Sequence, residues 1–331
     1  MNQFAVATPA SYQQAATLLK DKKYTLPILK GGGMDVVDHL KEGLWEPDLL
    51  VNVKRIPSQG ELIRMDAGKL RIHAAATMAD IVASKLVREQ SPVLVQALEG
   101  AATPQVRNVA TAAGNLLQRP RCWYYRNEQF DCLKKGGSRC YAADGENRYH
   151  AVFGDGPCHI VHPSNLAPAA QVCGGAVHLV GGTRESVPVS ELYHMPDKGI
   201  RTEHNLEPGE VVTHLTLTPA PRSGFYAVKE KQSFDWPLVF ACVALEMDAG
   251  KIASARVCAG AVAPVPWMLP KVEAALKGLS AGDDAAIRKA CAVAVEGAKP
   301  MTDNAYKLRL LPVAIHRAVV KASGRQLEVL A

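Results

Sequence analysis

No stretch of the 331 residues approaches the roughly 20 consecutive apolar residues that crossing a bilayer requires. The N-terminus, MNQFAVATPASYQQAATLLKDKKY, lacks the charged start, apolar stretch and small-residue cleavage site of a secretory signal. A soluble protein made in the cytoplasm and not inserted in a membrane is expected, with export in the company of a partner left open. A strong charge of one sign is missing as well. The 38 basic and 32 acidic residues leave a net +6 with no long basic run, so no nucleic-acid footprint is read. There is no G-x-G-x-x-G and no Walker A loop, and no Ser/His/Asp set or paired-carboxylate motif stands out. Neither a Rossmann site, a P-loop nor hydrolytic chemistry follows. What remains is ordinary globular composition, 48% hydrophobic and 21% charged, in a chain long enough for two or three compact units.

The periodicities predict an α+β protein. In the first sixty residues SYQQAATLLK reads as a helix and TLPILK as a short strand. GGGMDVVDHLKEG reads as a glycine turn entering a helix, and DLLVNVKRI as a second strand. ELIRMDAGKLRIHAAA is strand-like, TMADIVASKLVRE helical, and a further helix runs through SPVLVQALEGA. Past Cys158 the pattern turns strand-rich in CHIVHPS, AVHLVGG and EVVTHLTLTP, the last alternating at period two. PAPRSGF marks a boundary near 219 to 225. Beyond it, FYAVKEK and FACVALEMDAGKIASARVCAGAV, with helical KVEAALKGL and AAIRKACAVAVEGA, predict an antiparallel sheet with helices on one face.

Three small-residue turns are candidates for ligand contact. Lys30 to Asp38, KGGGMDVVD, places three glycines between a strand and a helix, where successive N–H groups can cradle an anion. Asn108 to Gln118, NVATAAGNLLQ, combines Thr111, Gly114 and Asn115, and HPSNLAPAA (His162 to Ala170) carries Ser164 and Asn165. Taken singly, each is also what a tight turn needs for purely structural reasons.

The segment from Cys122 to Cys158 holds four of the eight cysteines at a spacing of C-x9-C-x7-C-x17-C. The absence of any C-x2-4-C pair weighs against a structural zinc knuckle. Spacing alone leaves open an iron–sulfur cluster, a zinc site, two disulfides or unrelated thiols. The other four, Cys173, Cys242, Cys258 and Cys291, lie in apolar segments and read as core residues. His150, His159 and His162 read as loop histidines.

In this order, LKGGGMDVVD, ATAAGNLLQ and HPSNLAPA resemble the FAD-binding subunit of the xanthine dehydrogenase and aldehyde oxidase family of molybdenum hydroxylases. The resemblance continues through LEPGEVVTHLTLTP and FYAVKEKQSFDWPLVFACVAL to the terminal DNAYKLRLLPVAIHRAV. It implies a two-subdomain FAD-binding fold of the vanillyl-alcohol-oxidase (PCMH) type, followed by a smaller C-terminal α+β domain. The implied divisions are 1–60, 61–220 with an iron–sulfur insertion at 119–160, and 221–331. The implied FAD contacts are Lys30, Gly31, Gly32, Gly33, Met34 and Asp35 at the pyrophosphate turn, with Thr111, Ala112, Gly114 and Asn115 at the second turn. They continue through Ser164 and Asn165, then Val212 and Lys229. The third motif usually reads Ser-Asp, so Asn165 can hydrogen-bond a ribose hydroxyl but brings no charge. About 46 residues separate Asn115 from His162, where most relatives pass almost directly from one motif to the next. Resemblance to the branch with such an insertion implies a [4Fe–4S] cluster on Cys122, Cys132, Cys140 and Cys158.

The same resemblance implies an oxidoreductase subunit of a heterotrimer, beside a small subunit with two [2Fe–2S] clusters and a large subunit with the molybdenum cofactor. Electrons from oxidation of an aldehyde or an N-heterocycle would reach the FAD and leave to O2, a quinone, NAD or a ferredoxin. Three rivals stand beside it: a 4-hydroxybenzoyl-CoA reductase type of subunit with the relay reversed, a zinc-stabilised binding module, and a stand-alone flavoprotein oxidase.

Overall fold

The computed structural model describes residues 2–58 and 60–327, so residues 1, 59 and 328–331 of the expected domains lie outside the described residues. Three sheets organise the chain. The first is parallel, in the order β1 (Ala5–Ala7), β3 (Leu49–Asn52), β2 (Pro27–Lys30). Its crossovers are the helices Tyr12–Leu19 and Met34–Lys41, as the alternation of short apolar runs with helical patterns predicts.

The second sheet is antiparallel, in the order β4 (Ile63–Asp66), β5 (Lys69–His73), β8 (Val211–Leu217), β6 (Ala176–Val180), β7 (Ser186–Pro188). ELIRMDAGKLRIHAAA thus contains a hairpin, turned at Ala67 and Gly68, whose φ of 47° and 76° close a tight reversal. The helical reading of TMADIVASKLVRE also divides, into Met78–Ala83 and Lys85–Gln90. Thr77 and Asp80 form a capping box on the first helix. Ser84, extended at ψ 116°, ends it, and its hydroxyl accepts the N–H of Val87 to cap the second. CHIVHPS, expected as a strand, belongs to no sheet. It runs irregularly, held where Ala151 N–H donates to His159 O and His162 N–H to Ala263 O.

The third sheet is antiparallel, in the order β12 (Trp267–Met268), β11 (Lys251–Gly260), β10 (Pro237–Asp248), β9 (Ser223–Lys229). The unbroken apolar run of β10 reflects burial on both faces. Phe240, Cys242 and Ala244 join the large core shared with the second sheet. Val239, Ala241, Val243 and Leu245 face a second core under the helix Lys307–Ala322. Cys173, Cys242, Cys258 and Cys291 are fully buried in these cores. No helix among the described residues is long and apolar enough to cross a membrane.

A candidate flavin cleft and its cysteine-rich insertion

A cavity of about 860 Å³ opens between the parallel sheet, the second sheet and the loop before β10, within the size range of small-molecule sites. Gly31, Gly32, Gly33, Met34 and Asp35 line it from one side, Thr111, Gly114 and Asn115 from the floor, with Asn165 and Val212 completing the wall. The glycine turn lies directly on the second turn. A Cβ on Gly32 would stand 2.1 Å from the Val109 carbonyl oxygen, and one on Gly31 2.8 Å from Thr111 Oγ1. Gly33 needs its φ of 87° to start the helix Met34–Lys41, whose N-terminus carries no side-chain cap. The glycines therefore have a structural reason, and the same geometry leaves helix-end N–H groups unmatched by any side chain.

Asn115 ties the second motif to the third: its Oδ1 accepts from Ser164 Oγ at 2.7 Å and from Leu166 N–H at 3.3 Å. Ser164 is itself fully buried and caps Ala167. Asn165 donates from Nδ2 to Ala97 O at 3.1 Å. Lys30, Ala112, Ser164 and Lys229 lie outside the cavity lining. Lys30 donates to Gly31 O, Ala112 is a buried link to Ala76, and Lys229 reaches Gly100 O. Burial, with Lys54 and Arg55 nearby, lowers the Lys30 ammonium.

Several lining residues carry no motif. Lys54, Arg119 and Arg121 bring positive charge to the rim, and Trp45, Trp236 and Glu203 add to the wall. Arg121 has a buried Nε without a partner and sits 5.3 Å over the Trp236 ring. Asp35 lines the cleft, but arginines take up its carboxylate. Arg126 donates at 2.7 Å, Arg119 N–H at 2.9 Å, and Arg121 stands 3.2 Å away. Burial would raise this acid, and the Arg121 and Arg126 charges overcome it and hold Asp35 below its ordinary range. An unusually small-residue floor, an uncapped helix start and a cationic rim fit an elongated anionic ligand such as a dinucleotide.

The insertion begins beside this cleft, since Arg121 of the lining precedes Cys122. It has little regular structure: a turn of helix at Trp123–Arg126 and a 3-10 turn at Leu133–Lys135. Buried charges anchor it. Lys134 Nζ pairs with Glu203 Oε1 at 2.7 Å and donates to Ile200 O at 2.9 Å, and Arg119 grips the same carboxylate at 2.9 and 3.0 Å. On the other side Lys307, buried and lowered by burial to about 7, donates to the carbonyls of Tyr149, His150 and Ala261. Three acceptors occupy the three donor positions of an ammonium and favour its charged form.

All eight cysteines are unpaired. The four of the insertion influence one another: Cys140 and Cys158 are neighbours, and Cys122 is close enough to Cys132 and Cys140 to feel their charge. The neighbouring Cys158 lowers the Cys140 thiol, while the same neighbour and burial push Cys158 up. Backbone N–H groups point at the sulfurs, from Tyr125 and Tyr124 to Cys122, His159 and Ala142 to Cys140, and Ile160 to Cys158. Among the described residues no group of three or more His, Cys, Asp or Glu is gathered as a site for a metal ion. His150 and His162, read from sequence as loop histidines, are buried.

Residues 2–220 match the FAD binding domain in molybdopterin dehydrogenase, and residues 224–322 the CO dehydrogenase flavoprotein C-terminal domain. The aldehyde oxidoreductase FAD-binding subunit PaoB of Escherichia coli (strain K12) is 34% identical over 327 residues, covering 97% of each chain. The nicotine 6-hydroxylase medium subunit of Paenarthrobacter nicotinovorans is 21% identical, covering 96% of this chain and 97% of that one. The fold is that of a chain in reconstituted CO dehydrogenase from Oligotropha carboxidovorans, with TM-score 0.75, 23% identity and 98% and 99% of the two chains covered. The chain belongs to the family of FAD-binding subunits of the molybdenum hydroxylases.

Proposed function

We propose that this chain is the FAD- and [4Fe–4S]-carrying electron-transfer subunit of a heterotrimeric aldehyde-oxidising molybdenum hydroxylase. Its partners are a small subunit with two [2Fe–2S] clusters and a large molybdopterin subunit. The similarity to an aldehyde oxidoreductase subunit along 97% of the chain supports the substrate class. What supports the reading is a segment that starts at the cleft wall, in which four cysteines are close enough to influence one another and backbone N–H groups lie beside three of their sulfurs. Such donors favour thiolates, and a cubane gives each thiolate its own iron, so its ligands need not crowd round one ion.

In this reading the glycine turn and the start of the helix Met34–Lys41 hold the FAD pyrophosphate, with Lys54 and Arg121 offsetting its charge. Thr111, Gly114 and Asn115 form the floor, Asn165 meets a ribose hydroxyl, and Val212 packs on a ring. Asp35 serves mainly to dock the insertion through Arg126. FAD, when bound, links one-electron traffic to two-electron chemistry at an external acceptor. The chain's own task is to hold it beside the cysteine segment and keep the cleft polar on one rim and apolar on the wall.

Purification of the tagged chain from its native cells tests this. A flavin-coloured complex with an iron–sulfur subunit and a molybdenum subunit is expected. Protein that purifies alone, without flavin or iron absorption, would overturn the proposal.

A further inference from the structure

One imidazole is built against a proposed cluster ligand. His150 Nε2 lies 3.2 Å from Cys122 Sγ, and the ring's other nitrogen, Nδ1, is buried without a partner. A bare ring nitrogen is tolerated in that position more readily as an unprotonated acceptor than as an N–H, so the proton belongs on Nε2, facing the sulfur. The ring is not free to turn away. It packs edge-on to Trp123, with centroids 5.3 Å apart at 87°, and beside Tyr124 at 6.1 Å. Its backbone is clamped from the C-terminal domain: the His150 carbonyl accepts from Lys307 Nζ at 2.9 Å and from Asn304 Nδ2 at 3.2 Å, and Asn304 also holds Ala151 O at 3.0 Å. Side chains some 150 positions downstream thus aim this ring.

We infer that His150 is a positioning residue of the cluster, donating Nε2–H to the Cys122 thiolate and thereby setting the reduction potential, with Asn304 and Lys307 fixing its aim. The inference rests on the [4Fe–4S] reading above. An N–H···S bond draws negative charge from the sulfur. It therefore stabilises the reduced cluster, which carries the extra electron, and raises the potential.

The test is an EPR-monitored redox titration of the whole complex carrying wild-type chain, His150→Leu or His150→Gln. Loss of the donor in His150→Leu should lower the potential by about tenfold in the reduction equilibrium, about 59 mV for one electron. His150→Gln, which keeps an N–H donor, should recover at least half of that shift. If His150→Leu retains a cluster at the wild-type potential, the inference is overturned and the cluster reading stands. If the wild-type complex shows no [4Fe–4S] signal, the cluster reading itself falls, and the inference with it. Should His150→Leu fail to hold a cluster, pulsed EPR on wild-type protein labelled with 15N in the histidine ring decides. A ring-nitrogen coupling to the reduced cluster supports the bond, and its absence overturns it.

Discussion

The cleft and the insertion are built in opposite ways. The cleft is a junction of regular elements, where small residues let two turns and a helix start approach each other, and hydrogen bonds within and between the motifs complete the walls. The insertion is mostly irregular, and long side chains from distant parts of the chain hold it through buried ions and carbonyls. The first should keep its shape when emptied, because its contacts are protein to protein. The second takes thiols and charges out of water without a large apolar core to offset that cost, so in the proposed reading its order depends on the cluster those thiols would hold.

The sharpest way to break this contrast is to remove the carboxylate that both regions share. Glu203→Ala leaves Arg119 and Lys134 buried without their counter-charge, and a loss of about 3–5 kcal/mol is expected in chemical unfolding. Hydrogen exchange in that variant should rise most within 122–160 and least in β10 and β11. The same acid gives a pH signature. Burial raises Glu203, but Arg119 and Lys134 more than compensate and hold it below its ordinary value. Its stabilising contribution is thus present above the unfolded-state pKa and lost as pH falls through the lower folded one. Thermal melts of wild type should show that acid-side loss, and Glu203→Gln should flatten it.

A smaller effect is expected at the cleft. Gly32→Ala sets a Cβ against the Val109 carbonyl, a backbone atom that cannot swing away. Overpacking of this kind costs about 1–3 kcal/mol, and the flavin content of the purified variant should fall while its iron content holds. If iron falls equally, the two regions are not independent. Smallest of all is the exposed pair of Lys299 with Asp155, whose side chains are 72% and 75% accessible. Lys299→Ala should change stability by less than about 1 kcal/mol and leave both cofactors in place.

The two regions also differ in how much of them the sequence discloses. The glycine turn and the Thr111–Asn115 turn are legible because a backbone constraint dictates residue type locally, whereas Asn165, ordinary in backbone and bonded to Ala97 far off in sequence, is picked out by the resemblance alone. Period-two alternation likewise reveals β8, and an unbroken apolar run reveals β10. The insertion shows its thiols in the same direct way. Its supports are hidden: Lys134, Glu203, Lys307 and His150 look like surface or loop residues until folding brings partners from 28 to 158 positions away. Arg121 and Lys54 escape notice at the cleft for the same reason, since an isolated cation carries no spacing signal. The irregular path of CHIVHPS is misread as a strand because apolar content was visible and the absence of a ladder partner was not.

The central claim is that the insertion carries a cluster separable from the flavin. Iron, acid-labile sulfide and FAD should be counted in the complex with wild-type chain and with Cys132→Ser. The account predicts about four irons and four sulfides fewer per FAD in the variant, with FAD unchanged; iron and sulfide equal to wild type would contradict it.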